Sequence, residues 1–205
     1  FVTMDEIQTI TFSDSAEIQA ALKSYLEFGY TTVANVKLVS QAGLIIMGNI
    51  SLSKDKKPIR LKYFSELPET FKESALLDRF HGFIEGWKLP RINEDLKING
   101  WTLNVEYFSE IMHELRDKPI YSAIVNDLLK VPAKADTRDT TAVKRIATAY
   151  LKLLFPNVND TSEIDNEDFK NYCLIPAIEK RQIIRSQIHL IDEEFSDEMP
   201  DIKIE

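Results

Sequence analysis

The sequence predicts an α/β region that is incomplete as a domain, followed by an all-α region, with the division near residues 88 to 100. Two short apolar runs, Phe1 to Met4 and Leu44 to Met47, bracket an amphipathic stretch, which gives the strand–helix–strand order of an α/β unit. After Gly100 the helical period dominates. The composition is that of a globular chain: 205 residues, 44% hydrophobic, 28% charged, net charge -8. That excludes disorder of the whole chain and a surface that is basic all over, and it leaves room for one or two domains.

Each element follows from its residues. The apolar runs suit buried central strands of a parallel sheet. Ser15 to Phe28 carries Ile18, Ala21, Leu22, Tyr25 and Leu26 on one face and stops at Gly29, a C-cap residue. Tyr30 to Val33 and Val36 to Val39 flank Ala34-Asn35, so a small hairpin is expected before the second buried strand. Ser51 to Lys62 is a Lys-rich solvated connection. Further on, helices are expected from Val105 to Leu115, from Ile120 to Leu129 and from Arg138 to Leu154, the last stopped by Pro156. A final helix should open at Pro176 and run to Ile191. Trp87 and Trp101 flank the junction and are expected to pack there. Residues 192 to 205 are acidic and interrupted by Pro200, so a linker or frayed end is expected.

The lone Cys173 can form no internal disulfide, which points to a reducing, cytoplasmic setting. No apolar run approaches the roughly 18 residues of a membrane span, and no membrane partner is expected. The opening residues lack a basic signal-peptide segment and do not look like a natural N-terminus.

Four places carry possible chemistry. Asp5 and Glu6 end the first strand, and ligands of open α/β sheets bind at strand carboxyl ends. Asn49 leaves the second strand beside them. Arg79 lies among apolar side chains in Leu77-Asp78-Arg79-Phe80, and Arg138 opens a helix behind the capping residues Asp136 and Thr137. Each has a plainer reading: a polar strand end, a Gly-Asn turn, a surface pair of Asp78 with Arg79, a helix-start Arg. His81, His113 and His189 are scattered, and with one Cys they form no zinc pattern.

Together these segments resemble the second half of an AAA+ ATPase module. Met4-Asp5-Glu6 resembles Walker B, Gly48-Asn49 sensor 1, Leu77 to Phe80 the arginine-finger segment, and Thr137-Arg138 with Ala142 to Ile146 the sensor 2 helix. Asp78-Arg79-Phe80-His81-Gly82-Phe83-Ile84-Glu85-Gly86-Trp87, Arg138-Asp139-Thr140-Thr141-Ala142-Val143 and Leu151 to Pro156 are similar to the BrxL family of Lon-like ATPases of bacteriophage-exclusion systems. The likeness spans residues 1 to about 191.

The resemblance implies a C-terminal half of an AAA+ (P-loop NTPase) αβα domain over 1–90, a helical lid over 100–191 and the tail from 192. It implies ATP hydrolysis between subunits of a homo-oligomeric ring, working on DNA or protein in phage defence, with ATP and Mg²⁺ as cofactors. Asp5 would hold the metal, Glu6 the water, Asn49 would serve as sensor 1, Arg79 as the finger and Arg138 as sensor 2, with Arg145 as its rival. The hairpin would face DNA through Asn35 and Lys37. Alternatives are a DNA-encircling module in which ATP drives assembly, and a helical interaction domain whose Asp-Glu pair is accidental. None of the six glycines forms a phosphate-cradling P-loop, so the simplest expectation is a sequence that begins mid-domain, binds nucleotide poorly by itself and is inactive alone. Residues 192 to 205 are too few to hold the Ser-Lys pair of a Lon-type protease domain.

Overall fold

The computed structural model describes residues 1–33, 35–40 and 42–205. They form two compact units: Phe1–Phe80 with Gln182–Glu198, and His81–Arg181 with Met199–Glu205. The division thus falls before the expected junction, and the last helix contributes to both units.

In the first unit, β1 (Val2–Met4) pairs in parallel with β4 (Leu44–Ile46), Met4 opposite Ile46. Between them lie α1 (Ser15–Phe28) and the antiparallel hairpin β2 (Tyr30–Val33) and β3 (Val36–Val39). Asp14 caps α1 by accepting from the Glu17 amide at 2.9 Å, and Gly29 ends it in the left-handed region, φ 71°. Ala34, half of the expected turn, lies outside the described residues; Asn35 beside it has φ 63°.

The parallel strands are real, but their expected burial is not. Val2 is 51% exposed and Ile45 46%. A parallel pair is buried when both its faces are covered, and no third strand joins β1 and β4 among the described residues. One side is covered: Ile7, Phe71 and Leu76 are buried there with Met4, Leu22, Leu26, Ile46 and Phe80 against them. The short helix α2 (Ser74–Leu77) supplies Leu76 and leads to Arg79.

The second unit packs α3 (Val105–Arg116), α4 (Ile120–Leu128) and α5 (Thr137–Leu154) around Tyr121, Ile124, Val125, Val143, Ala147 and Leu151. Asp136 caps α5, accepting from the Arg138 amide at 2.8 Å. The last helix begins well before Pro176. It runs from α6 (Asn166–Phe169) through a widened turn (Lys170–Leu174) into α7 (Ile175–His189). Proline has no N–H to return to the preceding turn, and a local widening lets the helix pass through it.

The tail is not frayed. β5 (Leu129–Lys130) pairs antiparallel with β6 (Lys203–Ile204), and Ile202 is buried. Trp87 lies near Phe83, with ring centroids 6.0 Å apart, whereas Trp101 is fully exposed, against expectation. Among the described residues no helix is long and apolar enough to cross a membrane.

Candidate functional site

Asp5, Glu6 and Asn49 share one end of the parallel pair. The strands stay in register to Met4 and Ile46, and the two loops that leave them are then sewn together. The Met47 amide donates to the Met4 carbonyl at 2.8 Å, the Ile7 amide to Met47 at 3.1 Å, and the Asn49 amide to Gln8 Oε1 at 3.2 Å. Gly48 suits this approach, because a Cβ there would lie 3.0 Å from the Ile7 side chain, a tight contact.

Glu6 occupies the left-handed region, φ 48° and ψ 41°, where a residue with a Cβ is strained. Asp5 Oδ1 accepts from its amide at 2.7 Å, and the Glu6 carbonyl takes both the Thr9 amide and hydroxyl at 2.8 Å. Both carboxylates remain exposed.

No group of three or more acids, His or Cys able to hold a metal occurs among the described residues. Magnesium on a nucleotide needs only one or two carboxylates beside phosphates and water. Two exposed acids at a strand's carboxyl end fit that demand, while the chain's glycines form no phosphate cradle.

Arg79 departs from the plainer of its two sequence readings. Its partner is not Asp78, which is buried. Its Nε lies 2.8 Å from Glu27 Oε2 on α1, its Nη1 donates to the Ala75 carbonyl, and its side chain is 18% exposed. The hairpin is open to solvent: Val36, Leu38 and Val39 are all more than half exposed, and Asn35 and Lys37 are exposed at its tip and outer strand. Lys37 Nζ lies 3.9 Å above the Tyr30 ring, a cation–π contact across the hairpin.

The second unit holds Arg138 at the first turn of α5 and Arg145 two turns later. Arg145 Nη1 lies 2.8 Å from His81 Nε2. A guanidinium only donates, so Nε2 accepts and the ring proton sits on Nδ1. Burial, with the Arg145 and Arg181 charges, lowers the His81 pKa to about 4 and keeps that acceptor neutral. Below it, Arg181 and Asp139 form a fully buried ion pair at 2.7 Å. Cys173 is buried, and that desolvation raises its thiol to about 12, which makes it inert.

Sequence reasoning missed Glu27 and gave His81 only a structural or surface role, without its partner Arg145. Both act through partners far along the chain, so no local pattern marks them.

The family of Lon-like protease BrxL-like ATPase domains matches residues 1–201. The Lon-like protease BrxL of Escherichia coli O9:H4 (strain HS) is 28% identical over 187 residues, 91% of this chain and 26% of that protein. The Lon-like protease BrxL of Bacillus cereus (strain H3081.97) is 29% identical over 175 residues, 85% of this chain and 25% of that protein. The chain thus spans about a quarter of the length of these curated relatives.

Proposed function

The chain belongs to the family of Lon-like protease BrxL-like ATPase domains, and on that premise we propose that it carries the metal- and water-handling half of an AAA+ ATP site, which works in a cytoplasmic ring in phage defence. The observation that carries the reading is the joint at the ends of β1 and β4. There a strained Glu6, an exposed Asp5 and Asn49 are held on adjoining loops of a parallel pair. Strain at a polar residue on a strand's carboxyl end is characteristic of a working site.

In this reading Asp5 holds magnesium, which supplies charge neutralisation for the nucleotide phosphates. Glu6 orients the attacking water and accepts its proton, and Asn49 hydrogen-bonds that water or the terminal phosphate. Arg79 serves a nucleotide bound by a neighbouring subunit. Arg138 acts from the helical lid as sensor 2, and Arg145 is its rival for that task. The P-loop would come from elsewhere in a longer protein.

The test is Glu6→Gln in the full-length protein. ATP turnover should fall by about 10² to 10⁴-fold, the usual worth of a positioned base, while ATP stays bound. Turnover at the wild-type rate would end the assignment.

The exposed hairpin favours a second reading, in which the ring encircles DNA, Asn35 and Lys37 touch its phosphates and ATP chiefly drives assembly.

A further inference from the structure

One stripe of α1 is laid along the segment that ends in Arg79. Ser15, Gln19, Lys23 and Glu27 are spaced four residues apart, so they line a single face of the helix. They meet Thr70, Glu73 and Arg79, the first two sharing Thr70. The Thr70 hydroxyl lies 2.9 Å from Ser15 Oγ, and Gln19 Nε2 donates to the Thr70 carbonyl at 3.1 Å. Lys23 Nζ lies 2.8 Å from Glu73 Oε1, and Glu27 Oε2 lies 2.8 Å from Arg79 Nε. The register of helix against segment is therefore fixed at three residues, and the last is a guanidinium.

We propose that Glu27 is a positioning residue, the end of a polar stripe on α1 that presets the Arg79 guanidinium for the phosphates of a neighbouring subunit's nucleotide. This rests on the reading of Arg79 given above. Glu27 Oε2 lies 2.8 Å from Nε as an ion pair, without the alignment of a hydrogen bond there, and Nη1 is held by the Ala75 carbonyl. A guanidinium has five donors in a rigid plane, so the bond at Nη1 and the ion pair beside Nε together limit where the remaining donors point. The rotamer freedom of the arginine is then largely lost on folding and not during catalysis.

Glu27 itself sits on a fixed mount. The next turn ends at Gly29, whose amide donates to the Tyr25 carbonyl at 2.8 Å and whose carbonyl accepts from the Ser40 amide at 3.0 Å. Stability alone is a poor account of the pair. With side chains 18% and 31% exposed, such an ion pair is screened by solvent and adds little to stability. Its effect should appear in rate.

The experiment compares Glu27→Gln, Glu27→Asp, Arg79→Ala and the double variant Glu27→Gln/Arg79→Ala in the full-length protein. Glu27→Gln should lower kcat for ATP by about 10- to 100-fold, with KM within about twofold and an unchanged melting temperature. Glu27→Asp should recover part of the loss, and the double variant should be no slower than Arg79→Ala. Wild-type kcat in Glu27→Gln overturns the proposal. So does a double variant slower than Arg79→Ala by the same factor that Glu27→Gln loses from wild type. If Arg79→Ala itself turns over normally, the finger reading fails first; if it is slow while Glu27→Gln is normal, only the present inference fails.

Discussion

The two units solve burial differently. In the second, Val125, Val143, Ala147, Leu151, Phe169 and Cys173 are completely enclosed, and even an ion pair, Arg181 with Asp139, is sealed from water. In the first, a small core around Ile7, Phe71 and Leu76 supports one side of a two-stranded sheet whose other residues stay open. Most of the candidate chemistry lies in open regions: Asp5, Glu6, Asn35, Lys37 and Asn49 are exposed residues of the first unit, whereas Arg79 is mostly covered and Arg138 belongs to the second. A group that must meet phosphate, water or metal has to stay accessible, so it sits on loops that a modest scaffold positions. The helices of the second unit enclose their core, while its segment from Ile84 to Val105 stays open, with Ile92 and Trp101 fully exposed.

The sharpest test of that contrast is to break one ion pair in each unit. Asp139→Ala leaves the Arg181 charge buried, and losing one partner of a sealed pair costs about 3 to 5 kcal/mol. Hydrogen exchange of the α5 amides should report that loss. Lys23→Ala removes a half-buried pair with Glu73, worth about 0 to 1 kcal/mol, and should hardly change exchange in α1. Equal effects at the two sites would mean that the units do not differ in the way their burial suggests.

Acid supplies a smaller, graded effect on the second unit. An unfolded histidine takes up a proton near 6.5, whereas His81, buried and facing the Arg145 and Arg181 cations, does so only near 4. Between those values the unfolded chain binds more protons, so stability rises with pH and is lost as pH falls from 6.5 through 4. The full shift corresponds to at most about 3 kcal/mol. Exchange of α5 amides measured from pH 7 to 4 should show this loss in the wild type, and His81→Gln should remove its share. An identical pH profile in the variant would refute the assignment.

Local structure was legible where local chemistry decides it. Ser15 to Phe28 reads as a helix because its apolar spacing and Gly29 agree, and the hairpin reads from two β-branched pieces around a turn. The same reading failed where distant partners decide. Val2 and Ile45 look like core residues, but nothing in an apolar run says whether a second face will be covered. Pro176 looks like a helix start, yet the widened turn before it lets the helix continue. The acidic tail looks free, although Lys203 and Ile204 find Leu129 and Lys130. At the site, Asp5, Glu6 and Asn49 could be picked out because strand ends mark them. Glu27 could not, since the four-residue polar spacing on α1 acquires meaning only when residues 70–79 lie against it.

The smallest expected effect isolates function from stability within the first unit. Lys37 is exposed and its ammonium rests on the Tyr30 ring, so its removal takes away one cation–π contact worth about 0.5 to 1 kcal/mol and no buried group. Lys37→Ala should therefore leave exchange in α1 almost unchanged. If the hairpin touches DNA phosphates, the same substitution in the full-length protein should weaken binding similarly for unrelated sequences and lower the slope of log K against log salt by about 1. An unchanged slope would remove the hairpin from the DNA-binding surface. A large loss of α1 protection would show instead that this open hairpin carries structural weight, and that exposure in the first unit is no guide to function.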